Sequence, residues 1–258
     1  MKLNAEIRGW GMNLVLIHGW GMNAAVWEGL PADLTLGHRL TLIELPGHGH
    51  SPSGAAWSGL DDWARACLEV APDRAVWIGW SLGGLVALDA ALMAPERFSG
   101  LIQLTATPRF VQDEDWPAAM APETLESFHD GLLADPAGTL QRFLALQVRG
   151  SDAARNTLRS LRRELAQRPQ PHQQALAMGL DLLRGCDLRG RLSGLECPSL
   201  WLFGERDTLV QAGAEEGIAD LLPRARIAVI GGAAHAPFLS HPTETAAEIL
   251  SFLREIER

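Results

Sequence analysis

Ser81 sits in Gly79-Trp80-Ser81-Leu82-Gly83, a G-x-S-x-G run. A serine hydroxyl is a poor nucleophile at neutral pH. It needs a base beside it and a third group that orients the base. The run lies between an apolar strand-like stretch, 75–78, and an apolar helix-like stretch, 85–92. That context predicts a sharp strand-to-helix turn holding the serine in a strained, exposed backbone position. Glycines at 79 and 83 suit such a turn, because a side chain at either position would crowd it. A chance match in a chain with 26 glycines is the bland alternative, and the flanking stretches argue against it.

In a sheet of this kind the chain order is serine, acid, histidine, with the acid and the histidine each in a loop after a late strand. Gly204-Glu205-Arg206-Asp207 follows the apolar run 200–203. Asp207 is preferred as the acid, because a turn over Gly204 to Arg206 would swing it toward the histidine loop. Glu205 is the competitor and reads as a solvated charge. Asp187 follows no strand and is set aside. His235 follows the run 227–230 and is the candidate base. His18 and His48 precede the serine and read as structural, bonding loop backbone. His241, before Pro242, reads as a helix-start residue, and His129 and His172 read as surface residues. No pair has metal-ligand spacing, and the chemistry calls for no cofactor.

A tetrahedral oxyanion needs two backbone N–H donors. One would be Leu82, next to the nucleophile. The other would come from His18-Gly19-Trp20-Gly21 after the first long strand, which nominates Trp20. Each such donor is worth roughly 3 kcal/mol of barrier. The side chains of Trp20, Trp80 and Leu82 are expected against substrate. Pro46-Gly47-His48-Gly49-His50-Ser51 matches no phosphate-binding spacing and reads as a structural turn.

The elements that must position these groups alternate. Strands are predicted at 14–17, 40–45, 75–78, 101–105, 200–203 and 227–230, with helices between them. Asn23 is a plausible cap for a helix over 23–30, and further helices are expected over 60–70, 212–222 and 243–256. Continuous apolar strands alternating with helices mean an α/β fold, a mostly parallel sheet covered on both faces. From Arg109 to about Gly185 no strand-like run occurs, only amphipathic helical stretches broken by prolines. The reading is a core of 1–108 and 186–258 with a helical lid, 109–185, inserted between the sixth and seventh strands, over the sheet edge where ligands bind.

A net charge of −9 argues against a general nucleic-acid binder. No apolar stretch approaches the ~20 residues that span a membrane. Met1 to Trp10 holds no long apolar run after Lys2, so no secretory signal is expected, and Cys67, Cys186 and Cys197 are odd in number without metal spacing. A cytoplasmic monomer with reduced thiols is expected. Within the acidic chain, 139–168 carries seven arginines against Asp152 and Glu164, a local charge of +5. Arg155, Arg159 and Arg162 fall on one helical face. A solvated face and a docking site for an acidic partner are both open readings. The neighbouring Phe143-Leu144-Ala145-Leu146-Gln147 is apolar with a polar end and suits either helix packing or an aliphatic channel.

These segments together resemble the pimeloyl-acyl-carrier-protein methyl ester carboxylesterases of biotin synthesis, within the α/β-hydrolases. The resemblance spans nearly the whole chain. It rests on His18-Gly19-Trp20-Gly21-Met22-Asn23, Leu45-Pro46-Gly47, the serine turn continued through Ala87, Arg142-Phe143-Leu144-Ala145-Leu146-Gln147, and Ala233-Ala234-His235-Ala236-Pro237-Phe238. It implies Ser81, Asp207 and His235 as a triad. It implies Trp20, Ser81, Leu82, Phe143, Leu144, Ala145, Leu146, Gln147 and His235 against substrate. It also implies Arg142, Arg155 and Arg159 against an acyl carrier protein bearing the methyl-esterified pimeloyl chain. Gly138 stands near a position where the family can place a further arginine. A general short-chain carboxylesterase or thioesterase, a carbon–carbon hydrolase and a ligand receptor are the competing readings.

Overall fold

Short apolar runs rich in Leu, Ile, Val and Trp, each closed by glycine, proline or a polar turn, assemble into one sheet. The computed structural model describes residues 2–54 and 57–257. Among them are seven strands: β1 (Ala5–Gly9), β2 (Met12–Ile17), β3 (His38–Ile43), β4 (Ala75–Trp80), β5 (Phe98–Leu104), β6 (Ser199–Gly204) and β7 (Arg226–Ile230). The helices are α1 (Ala32–Thr35), α2 (Leu60–Val70), α3 (Leu82–Met93), α4 (Pro122–Ala134), α5 (Pro136–Gln147), α6 (Ala154–Leu165), α7 (Gln173–Gly185), α8 (Ala214–Leu221), α9 (Pro237–Ser240) and α10 (Pro242–Ile256).

The strand order is β1-β3-β2-β4-β5-β6-β7, with β1 antiparallel to β3 and every other pair parallel. Every residue of β4 and β6 is buried, as expected for strands covered on both faces. The chain runs from β2 outward to β3 and then crosses back to β4 on the other side of β2. The loops leaving β2 and β4 therefore part, and the crevice between them is where an open α/β sheet binds ligands. Ile17 pairs with Gly79 in register, which sets the His18–Gly21 loop beside Ser81.

Three expectations are corrected. The N-terminal residues form β1, which shows no continuous apolar run because Glu6 and Arg8 interrupt it. The strand-free segment separates β5 from β6, not a sixth from a seventh strand, because a single short strand precedes β2. The stretch after Asn23 is a 3-10 turn, Ala24–Gly29, although the Asn23 side chain does cap it by accepting from Ala25 N. Segment 109–185 contributes no strand to the sheet and holds α4 to α7, with Pro122 and Pro136 in the first turns of α4 and α5, where a missing N–H costs nothing.

A buried ion pair ties this segment to the sheet. Glu44, just past β3, is wholly inaccessible and accepts from Asn4 Nδ2 (2.9 Å), Ala24 N (3.2 Å) and His50 N (2.6 Å). Its counter-charge is Arg168, beyond α6, at 3.0 Å, and the same guanidinium reaches Glu6 on β1 at 2.5 Å. Arg168 holds the Glu6 carboxyl below its ordinary range. Removing one partner of a buried pair strands the other charge, which costs more than the pair itself contributes. Arg168→Met is expected to cost about 3 kcal/mol, lowering Tm by roughly 10 °C. Arg168→Lys is expected to recover part of this, and calorimetry of the three proteins checks both.

Candidate active site

Ser81 follows the last residue of β4 and precedes α3, with φ 55° and ψ −119°. Three glycines make that conformation possible. A Cβ on Gly79 would lie 2.4 Å from Gly84 Cα, and one on Gly83 would lie 2.4 Å from Ile17 O. On Gly84 it would meet both Ala106 Cβ and Gln103 Oε1 at 2.4 Å. The turn is therefore pressed against β2 and β5, and no side chain fits between. Ser81 N donates to Leu104 O at 3.0 Å, which anchors the strained residue to β5. Nearly every residue of α3 is buried, and its N-terminal N–H groups point toward the space around the serine.

Asp207 and His235 meet at the ends of β6 and β7. Glu205 N donates to Ile230 O at 3.1 Å and Arg206 N to Ala233 O at 2.8 Å, so the two loops are stitched together by backbone. Asp207 N closes a turn on Gly204 O at 3.1 Å. The Asp207 carboxylate then accepts on every side: Oδ1 from Leu209 N (2.8 Å) and Val210 N (3.1 Å), Oδ2 from His235 Nδ1 (2.7 Å). A carboxylate oxygen accepts here, so Nδ1 is the ring nitrogen that donates, and Nε2 is the one left to face outward from the pair. That Nε2 is buried and has no hydrogen-bond partner among the described residues. Glu205 is exposed and accepts from Gly232 N at 2.8 Å. Asp187 pairs with Arg109 and Arg189 instead.

The backbone of His235 is held from three sides. Its carbonyl accepts from Trp80 Nε1 (2.7 Å) and Thr105 Oγ1 (2.8 Å), and its N–H donates to Gln147 O at the end of α5 (3.0 Å). Trp80 thus braces the histidine loop, with its ring 6.1 Å from the His235 ring and edge-on to Phe238 at 5.0 Å. Thr105 was missed by sequence reasoning. It occupies φ 43°, and Ser81 and Thr105 are the only non-glycine residues with positive φ among those described. Such strain gathers at functional sites. A β-branched residue directly after an apolar strand carries no local signal of it.

Trp20 and Leu82 lie under the helical segment. Neither backbone N–H is engaged by another group among the described residues. The Trp20 ring packs edge-on against Phe143 at 4.6 Å, and its Nε1 donates to Leu176 O at 2.8 Å. Gly179 on α7 was also missed. A Cβ there would come within 2.6 Å of Trp20 and 3.1 Å of Leu82, so this glycine lets α7 close down on both. Ser81 is 4% exposed and His235 1%. A cavity of about 130 Å³ opens beside Gly21, Leu140, Leu144 and Arg162, and one of about 460 Å³ lies against Trp57, Trp63 and Met178 on α7.

The run from Phe143 to Gln147 is divided by its helix. Phe143, Leu144 and Gln147 are buried, Leu146 is half-buried, and Ala145 faces solvent. At 100° per residue a five-residue run cannot present one face, so Ala145 leaves the inner set. Both polar atoms of the buried Gln147 amide are unpartnered among the described residues. The arginines also divide. Arg168 is spent on Glu44 and Glu6, and Arg163 on Glu164. Arg142, Arg155, Arg159 and Arg162 are exposed without an acidic partner among the described residues. No group of three or more His, Cys, Asp and Glu among those residues is arranged to hold a metal ion. No helix among them is long and apolar enough to cross a membrane.

The model of the alpha/beta hydrolase fold matches residues 13–242. The chain belongs to the α/β-hydrolase family. Within it, a pimeloyl-(acyl-carrier protein) methyl ester esterase of Stenotrophomonas maltophilia is 45% identical, over 97% of this chain and 96% of that protein. The protein of the same name from Methylococcus capsulatus is 46% identical, over 98% and 99%. The hydrolase fold also recurs in the solved structure of an esterase from Exiguobacterium antarcticum, with TM-score 0.87, 20% identity and coverage of 98% and 95%.

His18 and His48 are fully buried and their rings lie 5.3 Å apart. Burial pushes His18 down to about 4, and burial with the neighbouring His18 pushes His48 down to about 3. Both lie below the ordinary value near 6.5, so the unfolded chain takes up these protons first. The stabilisation is complete above about pH 6.5 and is lost as pH falls toward the two folded values, at up to roughly 1.4 kcal/mol per pH unit for each group. Tm is expected to fall between pH 6.5 and 5, before carboxylates titrate, and His48→Gln should remove about half of that slope in a thermal-denaturation series.

Proposed function

We propose that the protein is a serine carboxylesterase that hydrolyses the methyl ester of a pimeloyl chain carried on acyl carrier protein, releasing methanol and the free carboxylate in biotin synthesis. The observation that carries this reading is the strained Ser81 on the crevice of the sheet together with the buried Asp207–His235 pair, whose Nε2 is left without a partner. Relatives 41–46% identical over nearly the full length carry the matching name.

The chemistry follows from these groups. His235 Nε2 takes the Ser81 proton as Oγ attacks the ester carbonyl. The Trp20 and Leu82 N–H groups hold the oxyanion. Collapse expels methoxide, which leaves as methanol with the proton from His235. Water, deprotonated by His235, then attacks the acyl-serine, and the carboxylate departs as Ser81 regains its proton. Asp207 keeps the imidazole in the required tautomer and stabilises its charged form. In this reading 109–185 is a lid, with α7 closing over Trp20 and Leu82. Phe143, Leu144 and Leu146 line the path of the aliphatic chain, and Gln147 supplies a polar contact. Arg142, Arg155 and Arg159 meet the acidic carrier outside. The protein works as a cytoplasmic monomer, consistent with its free thiols: burial pushes Cys186 up to about 11 and Cys197 up to about 12, away from reactivity.

Ser81→Ala is expected to lower kcat by at least about 10³-fold, and Asp207→Asn by about 10⁴-fold. Steady-state rates on methyl pimeloyl-carrier protein check both, and equal rates on simple p-nitrophenyl esters and the carrier-linked ester would favour a general esterase. Arg155→Glu with Arg159→Glu is expected to raise KM for the carrier-linked ester about tenfold at low salt, leave kcat on dimethyl pimelate unchanged, and lose its effect as salt rises. Growth of a biotin-requiring strain lacking this esterase step, restored by the wild type and not by Ser81→Ala, tests the pathway.

A further inference from the structure

We propose that His18 and His48 are positioning residues that pre-orient the Trp20 peptide as an oxyanion donor. The inference rests on the reading of Trp20 N–H given above. Gly19 O and Trp20 N–H belong to one planar, trans peptide unit, so fixing the oxygen fixes the opposite direction of the N–H. His18 Nδ1 lies 2.8 Å from Gly19 O, and Met22 N donates to the same oxygen at 3.2 Å. The next peptide is held as well: Gly21 N donates to His48 Nε2 at 3.3 Å. Trp20 is therefore clamped on both sides through its backbone. Between Gly19 and Gly21, the latter at φ +69°, that backbone would otherwise have wide freedom.

The two rings brace each other's loop. His18, in the loop after β2, accepts from Leu45 N at 3.1 Å in the loop after β3. His48, after β3, accepts from Gly21 N after β2, and its Nδ1 lies 2.9 Å from Pro46 O. Each Nε2 is an acceptor of a backbone N–H, so each Nδ1 carries the proton and donates to a carbonyl. A charged ring would have two N–H groups and no acceptor, and would break the brace. Burial, the mutual proximity of the rings and the Arg168 charge near His18 keep both neutral. An apolar side chain of equal size would strand the Leu45 and Gly21 N–H groups without an acceptor. Pre-orientation matters because a fixed donor needs no reorganisation when the oxyanion forms.

The two sites predict opposite isostere preferences. Gln carries its oxygen near the place of Nε2, and Asn carries its amide nitrogen near the place of Nδ1. At position 48 the bond to Gly21 runs through Nε2, so His48→Gln should keep kcat within about threefold while His48→Asn loses about 10- to 100-fold. At position 18 the bond to Gly19 O runs through Nδ1, so His18→Asn should retain kcat and His18→Gln should lose it. KM should stay within about twofold throughout. Affinity for a trifluoromethyl ketone analogue, whose adduct carries the oxyanion, should fall in parallel with kcat. Thermal denaturation identifies folded variants, and either pair alone suffices. Equal kcat for the two isosteres at a site, or a loss of kcat without a matching loss of ketone affinity, overturns the proposal. Absence of Ser81-dependent turnover in the wild type would bring down the esterase reading and this inference together, whereas equal isosteres in an active enzyme overturn only the histidine assignment.

Discussion

The 2.7 Å hydrogen bond between Asp207 and His235 is the contact around which the upper edge of the sheet is arranged. Both side chains are essentially inaccessible, and burying a carboxylate is costly unless its lone pairs are met. The structure meets them with the amides of Leu209 and Val210 and with the imidazole. That forces the loop after β6 into a tight turn, and the turn in turn lies against the loop after β7 so closely that only glycine fits at 204, where a Cβ would stand 2.2 Å from Ala234 O. The parallel register of β6 on β7 is thus a requirement of the pair as much as a support for it.

The helical segment is bound to this edge by contacts of different kinds. At one end Arg168 reaches under it to Glu44 and Glu6. At the other, the turn after α5 bonds to the two loops of the pair: Gln147 O takes His235 N, Asp152 N donates to Gly232 O, and the Arg206 guanidinium meets Asp152. Beyond Arg168, α7 closes on Trp20 and Leu82 through the bare backbone of Gly179 and takes the Trp20 indole N–H on Leu176 O. The segment is thus held by the backbone and charge ties of 147–152, by the Arg168 ion pair and by α7 seated on Trp20 and Leu82. The outward arginines of α5 and α6 sit on its solvent side, where an attraction is felt at long range and screened by salt.

How much of this was legible differs by element. The alternation of six apolar runs with helices, and the strand-free stretch between the fourth and fifth of them, follow from burial on two faces of a parallel sheet, which writes continuous hydrophobic runs into the chain. β1 escaped because a half-exposed edge strand needs no such run, and Glu6 and Arg8 there serve ion pairs instead. The loop positions of Ser81, Asp207 and His235 were legible because each directly follows an apolar run. Thr105 and Gly179 were not, since their roles depend on which strand or helix lies opposite, a fact held by no local pattern. The arginine stripe read as a block from the sequence. Arg168 belongs to a buried ion pair, and only the fold separates it from its exposed neighbours.

Trp80 and Thr105 grip the carbonyl of His235 with an indole N–H and a hydroxyl. Neither group ionises across the range in which proteins stay folded. The mounting of the imidazole is therefore electrically constant, and its position does not depend on the charge of the groups that hold its carbonyl.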